Sequence, residues 1–221
     1  MIRLLVCCLF FLHLAEVCSA QFNTKIGYRA AWVQFDDYNS LLDDFNNERD
    51  WLDDTFKDLR LQQAVMMGGR YRWSNIALEF TGIFGFNSTK ARGTDPAGNV
   101  SFFKQFAYRQ AGGSLGVEFF AGLFSVGSSI NWENFIVRTS DRSGGRKTEI
   151  MKEQGWSAQF FLSISSPRSA NLALSLRPYI QLYQNDWDFS PAYEELGVAA
   201  DKNSIEESMA FGVQVIFYNG K

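Results

Sequence analysis

The sequence predicts an all-β protein, an eight-stranded antiparallel transmembrane β-barrel with short periplasmic turns and four long extracellular loops. Three observations carry that expectation. Residues 1–20 read as an export signal, eight later segments alternate large apolar with small or polar side chains, and the links between them are alternately short and long.

The signal comes first in the chain. Arg3 supplies a positive start, residues 4–14 form an apolar run too short to span a bilayer, and Cys18-Ser19-Ala20 places small residues before a cut ahead of Gln21. The barrel domain is then 21–221. Cys7, Cys8, Cys18 and the single histidine, His13, all lie in the signal. A mature chain without thiol or imidazole has no disulfides, no Cys–His or Ser–His–Asp nucleophile and no His-ligated zinc. Beyond residue 20 no stretch of 18 apolar residues occurs, which excludes helical spans. Lys+Arg 21 against Asp+Glu 24 offers no basic field for nucleic acid.

The strands follow in order. The segments are 26–35, 61–71, 76–86, 111–119, 124–132, 156–164, 172–183 and 208–217. The seventh shows the pattern well: Leu172, Leu174, Leu176, Ile180 and Leu182 interleave with Ala173, Ser175, Arg177, Tyr179 and Gln181. In the eighth, Met209, Phe211, Val213, Val215 and Phe217 alternate with Ser208, Ala210, Gly212 and Gln214. Short turns fall near 73–75, 121–122 and 165–168. The long polar links are 36–58, 87–104, 138–153 and 184–207. Strict alternation of the two kinds puts all large loops on one rim, and closure of the sheet removes exposed strand edges.

A soluble barrel also alternates with period two, so the polar series decides which face meets water. That series is mostly Gly, Ala, Ser and Gln with about one ion per strand, whereas a wetted face is rich in Lys, Glu and Thr. Small residues suit a narrow lumen filled by side chains. Leu, Phe, Val, Ile and Trp on the other face suit hydrocarbon. Trp73, Trp132, Trp156, Trp187, Phe217 and Tyr218, near segment ends, are the expected interfacial girdle.

An exported chain with these eight segments, four long loops and an aromatic-rich last strand resembles the small outer-membrane barrels of the OmpA/OmpX/OmpW type in Gram-negative bacteria. The Ala20-Gln21 junction is similar to cleavage sites of Bacteroidota envelope proteins. The resemblance implies residence in the cell outer membrane. The chain departs from the proteobacterial pattern by ending Phe217-Tyr218-Asn219-Gly220-Lys221 rather than on an aromatic. Lipid-modifying barrels rely on a histidine, which the mature chain lacks.

Strand parity puts Arg29, Arg70 and Arg177 inside with Glu79, Glu118 and Glu133. Three positive and three negative groups in a low-dielectric lumen imply pairing, either as a plug that fixes register or as a gated polar pore or carboxylate pair. In the first loop, nine acids face Arg49 and Lys57, while Tyr38, Leu41, Leu42 and Phe45, then Leu52, Phe56 and Leu59, recur at helical spacing. An amphipathic helix over the barrel mouth is expected. Asp43, Asp44, Asp50, Trp51, Asp53 and Asp54 form its possible interaction patch. The order of these acids is not that of an EF-hand, so no metal and no cofactor are expected. The last loop is also acidic, through Asp186, Asp188, Glu194, Glu195, Asp201, Glu206 and Glu207 against Lys202. The middle two are mildly basic. Gly112-Gly113-Ser114-Leu115-Gly116 lies within a strand, where glycine permits curvature, and is no phosphate loop.

The function expected is therefore non-enzymatic: a structural or surface-interaction role through acidic extracellular loops. The partners expected are outer-membrane lipid, lipopolysaccharide and an envelope protein. The alternative is a narrow porin or transporter of small, including apolar, molecules.

Overall fold

A computed structural model describes residues 21–33, 36–97, 100–166, 172–184, 187–198 and 209–219. The signal segment therefore lies outside the described residues, as do Asp186, Asp201, Lys202, Glu206 and Glu207.

The chain runs β1 (Gln21–Val33), α1 (Asp36–Asn47), β2 (Leu52–Asp54), β3 (Leu61–Trp73), β4 (Ile76–Asp95), β5 (Val100–Ala121), β6 (Phe124–Ser140), β7 (Thr148–Ser165), β8 (Leu172–Tyr183), α2 (Ser190–Leu196) and β9 (Met209–Asn219). Each long strand pairs antiparallel with its sequence neighbour, and β1 pairs with both β3 and β9. Eight strands thus close into a barrel, while β2 adds a short rung to the loop end of β4 at Gly93 and Arg92. Gln21 and Asn219 lie at the end that carries the tight turns.

Alternation along the strands sets the wall. Leu174, Phe211 and Val213 are 45%, 44% and 42% exposed, whereas Ser175, Arg177 and Gln214 are 0%, 2% and 4% exposed. The same contrast runs round the barrel, with Ile26, Phe80, Leu115, Ile130 and Leu162 on the outside. A water-soluble barrel has the opposite polarity. Close wall packing in one place requires glycine: a Cβ on Gly112 would stand 2.1 Å from the Trp132 carbonyl oxygen.

The strands are longer than their apolar stretches. The segments expected as loops at 87–104 and 138–153 are mostly strand, continuing the β4–β5 hairpin up to Asp95 and Val100 and the β6–β7 hairpin up to Ser140 and Thr148. Beyond the apolar belt the polarity of the faces inverts: Phe106, Tyr108, Phe135, Val137 and Met151 are buried under the mouth while Ser88, Lys90, Arg92, Arg109 and Lys152 are exposed, so the outward apolar series stops although the hydrogen-bonded ladder continues. β1 also begins five residues before the expected 26.

The aromatic girdle is partly relocated. Trp132, Trp156 and Phe217 face outward, but Trp187 is buried at 3% exposure and Tyr218 at 1%. Parity explains Tyr218, which alternates with outward Phe217. Trp187 lies in a connection, where strand parity gives no direction.

Candidate functional site

The interior is built in three layers, reading from the turn end to the loop end. The first is ionic. Arg177 donates to Glu79 through both terminal nitrogens, at 2.8 and 3.1 Å, and its Nη2 lies 3.1 Å from Glu118 Oε2. Lys25 Nζ also reaches Glu79, at 2.8 Å, and Arg70 approaches Glu118 at 3.7 Å. The Tyr218 hydroxyl donates to Glu79 at 2.7 Å and accepts from Arg177 at 3.0 Å. Two aromatic faces complete the layer, with the Arg70 guanidinium 3.6 Å above Tyr218 and that of Arg177 3.9 Å above Phe161. Charges buried this deeply persist because each is paired, and Lys25, Glu79, Glu118 and Arg177 are hydrogen-bonded as well.

The second layer centres on Arg29. Its guanidinium donates to Gln110 at 2.8 Å and Gln181 at 3.3 Å, and lies 3.4 Å from Glu133. Gln110 donates to the other oxygen of Glu133, and Gln181 donates to Ser157 at 2.8 Å. Between the ionic layers is a cavity of ≈ 10 Å³, lined by Lys25, Glu79, Ser114, Gln159, Arg177 and Gln214 among others. That is room for about one water.

The third layer is apolar and closes the mouth. Helix α1 turns Tyr38, Leu41, Leu42 and Phe45 into a buried cluster with Val33, Phe106, Tyr108, Phe135 and Val137 from the wall. The following segment, residues 55–60, adds Phe56 and Leu59 to that cluster without regular secondary structure rather than as more helix. Two asparagines hold it there. Asn46 bonds both the N–H and the carbonyl of Phe56 at 3.0 Å, and Asn39 Oδ1 accepts from Leu59 N–H at 2.9 Å. These side chains satisfy backbone groups that helix or strand would otherwise satisfy.

Helix α2 closes the other side. Pro191 sits in its first turn, and Gly197, at φ 65°, ends it in the left-handed conformation, with its N–H on the Glu194 carbonyl at 3.1 Å. Trp187 and Phe189 run from it into the mouth. The Phe135 ring lies 4.3 Å from Trp187, and Tyr38 lies 5.2 Å from Phe189. Arg49 reaches from the first connection to the Leu196 carbonyl at 3.5 Å. The two acidic connections are therefore neighbours, as antiparallel closure requires. Lys104, rising from β5, pairs with Glu195 at 2.5 Å and Asp141 at 2.8 Å. Burial pulls the Lys104 ammonium down, but hydrogen bonds to Asp141 and Glu195 outweigh it and hold the group above the usual lysine range.

The structure thus brings Arg29 to Glu133, and Arg70 and Arg177 to Glu118 and Glu79. Lys25 belongs with them but falls one residue before the alternating segment 26–35. It lies four residues before Arg29 on the same face, which is the signal that finds it. Of the loop residues, Asp43, Asp44, Asp50 and Asp53 are exposed, Asp54 lies 3.7 Å from Lys90, and Trp51 meets Phe102 edge-on at 5.3 Å. Among the described residues, no cluster of His, Cys, Asp or Glu has the arrangement to hold a metal.

No family model matches the chain, and no curated protein does. Solved structures similar in fold include Ail, the attachment invasion locus protein of Yersinia pestis, in complex with the heparin analogue sucrose octasulfate. It is 11% identical over 91% of this chain and 97% of that one, with a TM-score of 0.43. Neisserial surface protein A is 12% identical over 92% of this chain and 99% of that one, also at 0.43. By its own strand pairing and wall polarity, the chain has the architecture of a small eight-stranded outer-membrane β-barrel.

Proposed function

We propose that the protein is an outer-membrane barrel with a sealed lumen, working as a non-enzymatic surface-interaction protein through its loop end. The apolar outer wall supports the membrane location, because a closed barrel satisfies its backbone internally and needs no water on its flank. The observation that carries the rest is the filled interior. Among the described residues, two ionic layers, a cavity of ≈ 10 Å³ and an apolar cap fill the interior, with no room for a substrate beside Glu79 or Glu118. The ion pairs tie β1, β3, β4, β5, β6 and β8 across the barrel, which favours a role in fixing strand register. The exposed acids Asp43, Asp44, Asp50 and Asp53 with half-buried Trp51 then form a surface turned away from the membrane, suited to a protein partner in the envelope.

Conductance in planar bilayers tests the sealed lumen: the account expects none, and stable unitary openings would favour a narrow porin. Capture from cross-linked outer membranes tests the interaction role. A stoichiometric envelope protein that is lost on Asp43→Asn/Asp44→Asn supports it, and recovery of the barrel alone contradicts it.

A further inference from the structure

The register of β5, β6 and β7 sets their outward side chains in level rows. Gly113, Trp132 and Trp156 share one row, and Ala111, Asn134 and Gln154 the next. Arg109, Ile136 and Lys152 stand above them, towards the loop end. Arg138 is one step further along β6, 3.5 Å from Glu149. Side chains opposite one another in a sheet stand ~5 Å apart and diagonal ones ~7–8 Å. Arg109, Arg138 and Lys152 therefore surround Ile136 within the width of one headgroup. Lys147 lines a hollow of ≈ 420 Å³ together with Arg109, Phe86 and Ser88. Below the cations, Trp132 and Trp156, with ring centroids 6.1 Å apart, frame an outward-open groove of ≈ 690 Å³ with Asn134 and Gln154.

The vertical order of these groups has a chemical meaning. Indoles sit where hydrocarbon gives way to headgroups, amides follow, and cations come next. Among the described residues, Arg109, Lys147 and Lys152 have no ion-pair partner, and Glu149 is the one acid paired with this group. Across the rim, α1 and the segment after it carry the acids, so the field over the loop end directs anions towards β5–β7. We infer that this face is a seat for the phosphorylated headgroup of a membrane lipid. Its acyl chains lie on the belt, its sugar or glycerol rests against Trp132, Asn134, Gln154 and Trp156, and its phosphate oxygens accept from Arg109 and Lys152. A soluble polyanion would have no use for the apolar wall and paired indoles directly beneath. The inference rests on the reading that the wall lies in a membrane.

The test uses the full barrel in phosphatidylcholine vesicles doped with diphosphorylated lipid A or with its dephosphorylated form. Flotation reports insertion, and native mass spectrometry after detergent release reports retained lipid. The diphosphorylated form is retained preferentially, and Arg109→Gln/Lys152→Gln lowers retention about tenfold or more. Arg60→Gln, which removes a rim cation paired with Asp58 at 2.8 Å, leaves it unchanged. Equal retention by wild type and the double variant, or of the two lipids, overturns the seat while flotation leaves the embedded wall standing. Failure to float overturns the membrane reading itself. A sulfated oligosaccharide that binds the detergent-solubilised barrel with the same two-residue dependence overturns the choice of lipid.

Discussion

Arg177 and Glu79, ninety-eight positions apart in sequence, meet inside the barrel as a two-pronged pair at 2.8 and 3.1 Å. The pair joins β8 to β4 across the lumen, and Lys25, Glu118 and Tyr218 all bear on it.

Truncating one member strands the other. Arg177→Ala leaves Glu79 and Glu118 buried with less compensating charge, a defect of about 3–5 kcal/mol. Urea unfolding in detergent micelles, followed by the gel-mobility shift of the folded barrel, should show a clear fall in midpoint. An unchanged midpoint would mean that the network adds nothing to stability.

The upper layer and the cap seal the lumen independently. Leu42→Asp places a charge in the apolar cluster at the mouth and should release α1, raising its amide-exchange rates. Conductance should stay absent, because Arg29, Gln110, Glu133 and Gln181 still block the path beneath. Openings in Leu42→Asp alone would assign the seal to the helix.

Lys104 ties α2 to the turn between β6 and β7. Lys104→Met should speed amide exchange in residues 190–196 by about fivefold, the scale of a partly exposed pair. Its pKa is raised in the folded state, so the contribution is fully present below the ordinary lysine value and is lost as pH rises through the higher folded value. Exchange in α2, corrected for its intrinsic pH dependence, should therefore accelerate in that alkaline window in wild type and not in the variant.

Gly112 stands where β5 passes close to the Trp132 backbone. Gly112→Ala brings a methyl to 2.1 Å from a carbonyl oxygen, so the strands must separate. The expected cost is about 1–3 kcal/mol. Gly122→Ala, in open space at φ 68°, should cost about 1 kcal/mol from backbone strain alone. Equal effects in the same unfolding assay would contradict the close approach.

Much of this architecture was legible in the chain because period two persists wherever one face is apolar and the other is not. The alternation over Leu172–Tyr183 coincides with the bounds of β8 for that reason. The outward apolar series stops past Phe86 and Trp132, where the ladder continues with mostly polar side chains outside and Phe106, Tyr108, Phe135 and Val137 turned inward under the cap. Inward ions follow from parity within an alternating segment, and Lys25 is not among them because Gln21–Lys25 holds a single apolar residue, Phe22, and shows no alternation. The helical face of Tyr38, Leu41, Leu42 and Phe45 was visible. The irregular return through Phe56 and Leu59 was not, because it depends on Asn39 and Asn46 binding backbone ten or more residues away. The cationic rows on β5–β7 need the register, which spacing along one strand cannot supply.

Direction of the wall is tested most directly by spin labels, for which the chain beyond residue 20 offers no competing cysteine. Single cysteines at Leu174, Phe211 and Val213, and at Ser175 and Gln214, are labelled in the vesicle-embedded barrel, and collision with oxygen is compared with collision with a water-soluble nickel chelate. The account predicts oxygen-rich, nickel-poor labels at 174, 211 and 213, and labels at 175 and 214 that are immobile or impair folding. Nickel-accessible labels at 174, 211 and 213 would contradict it.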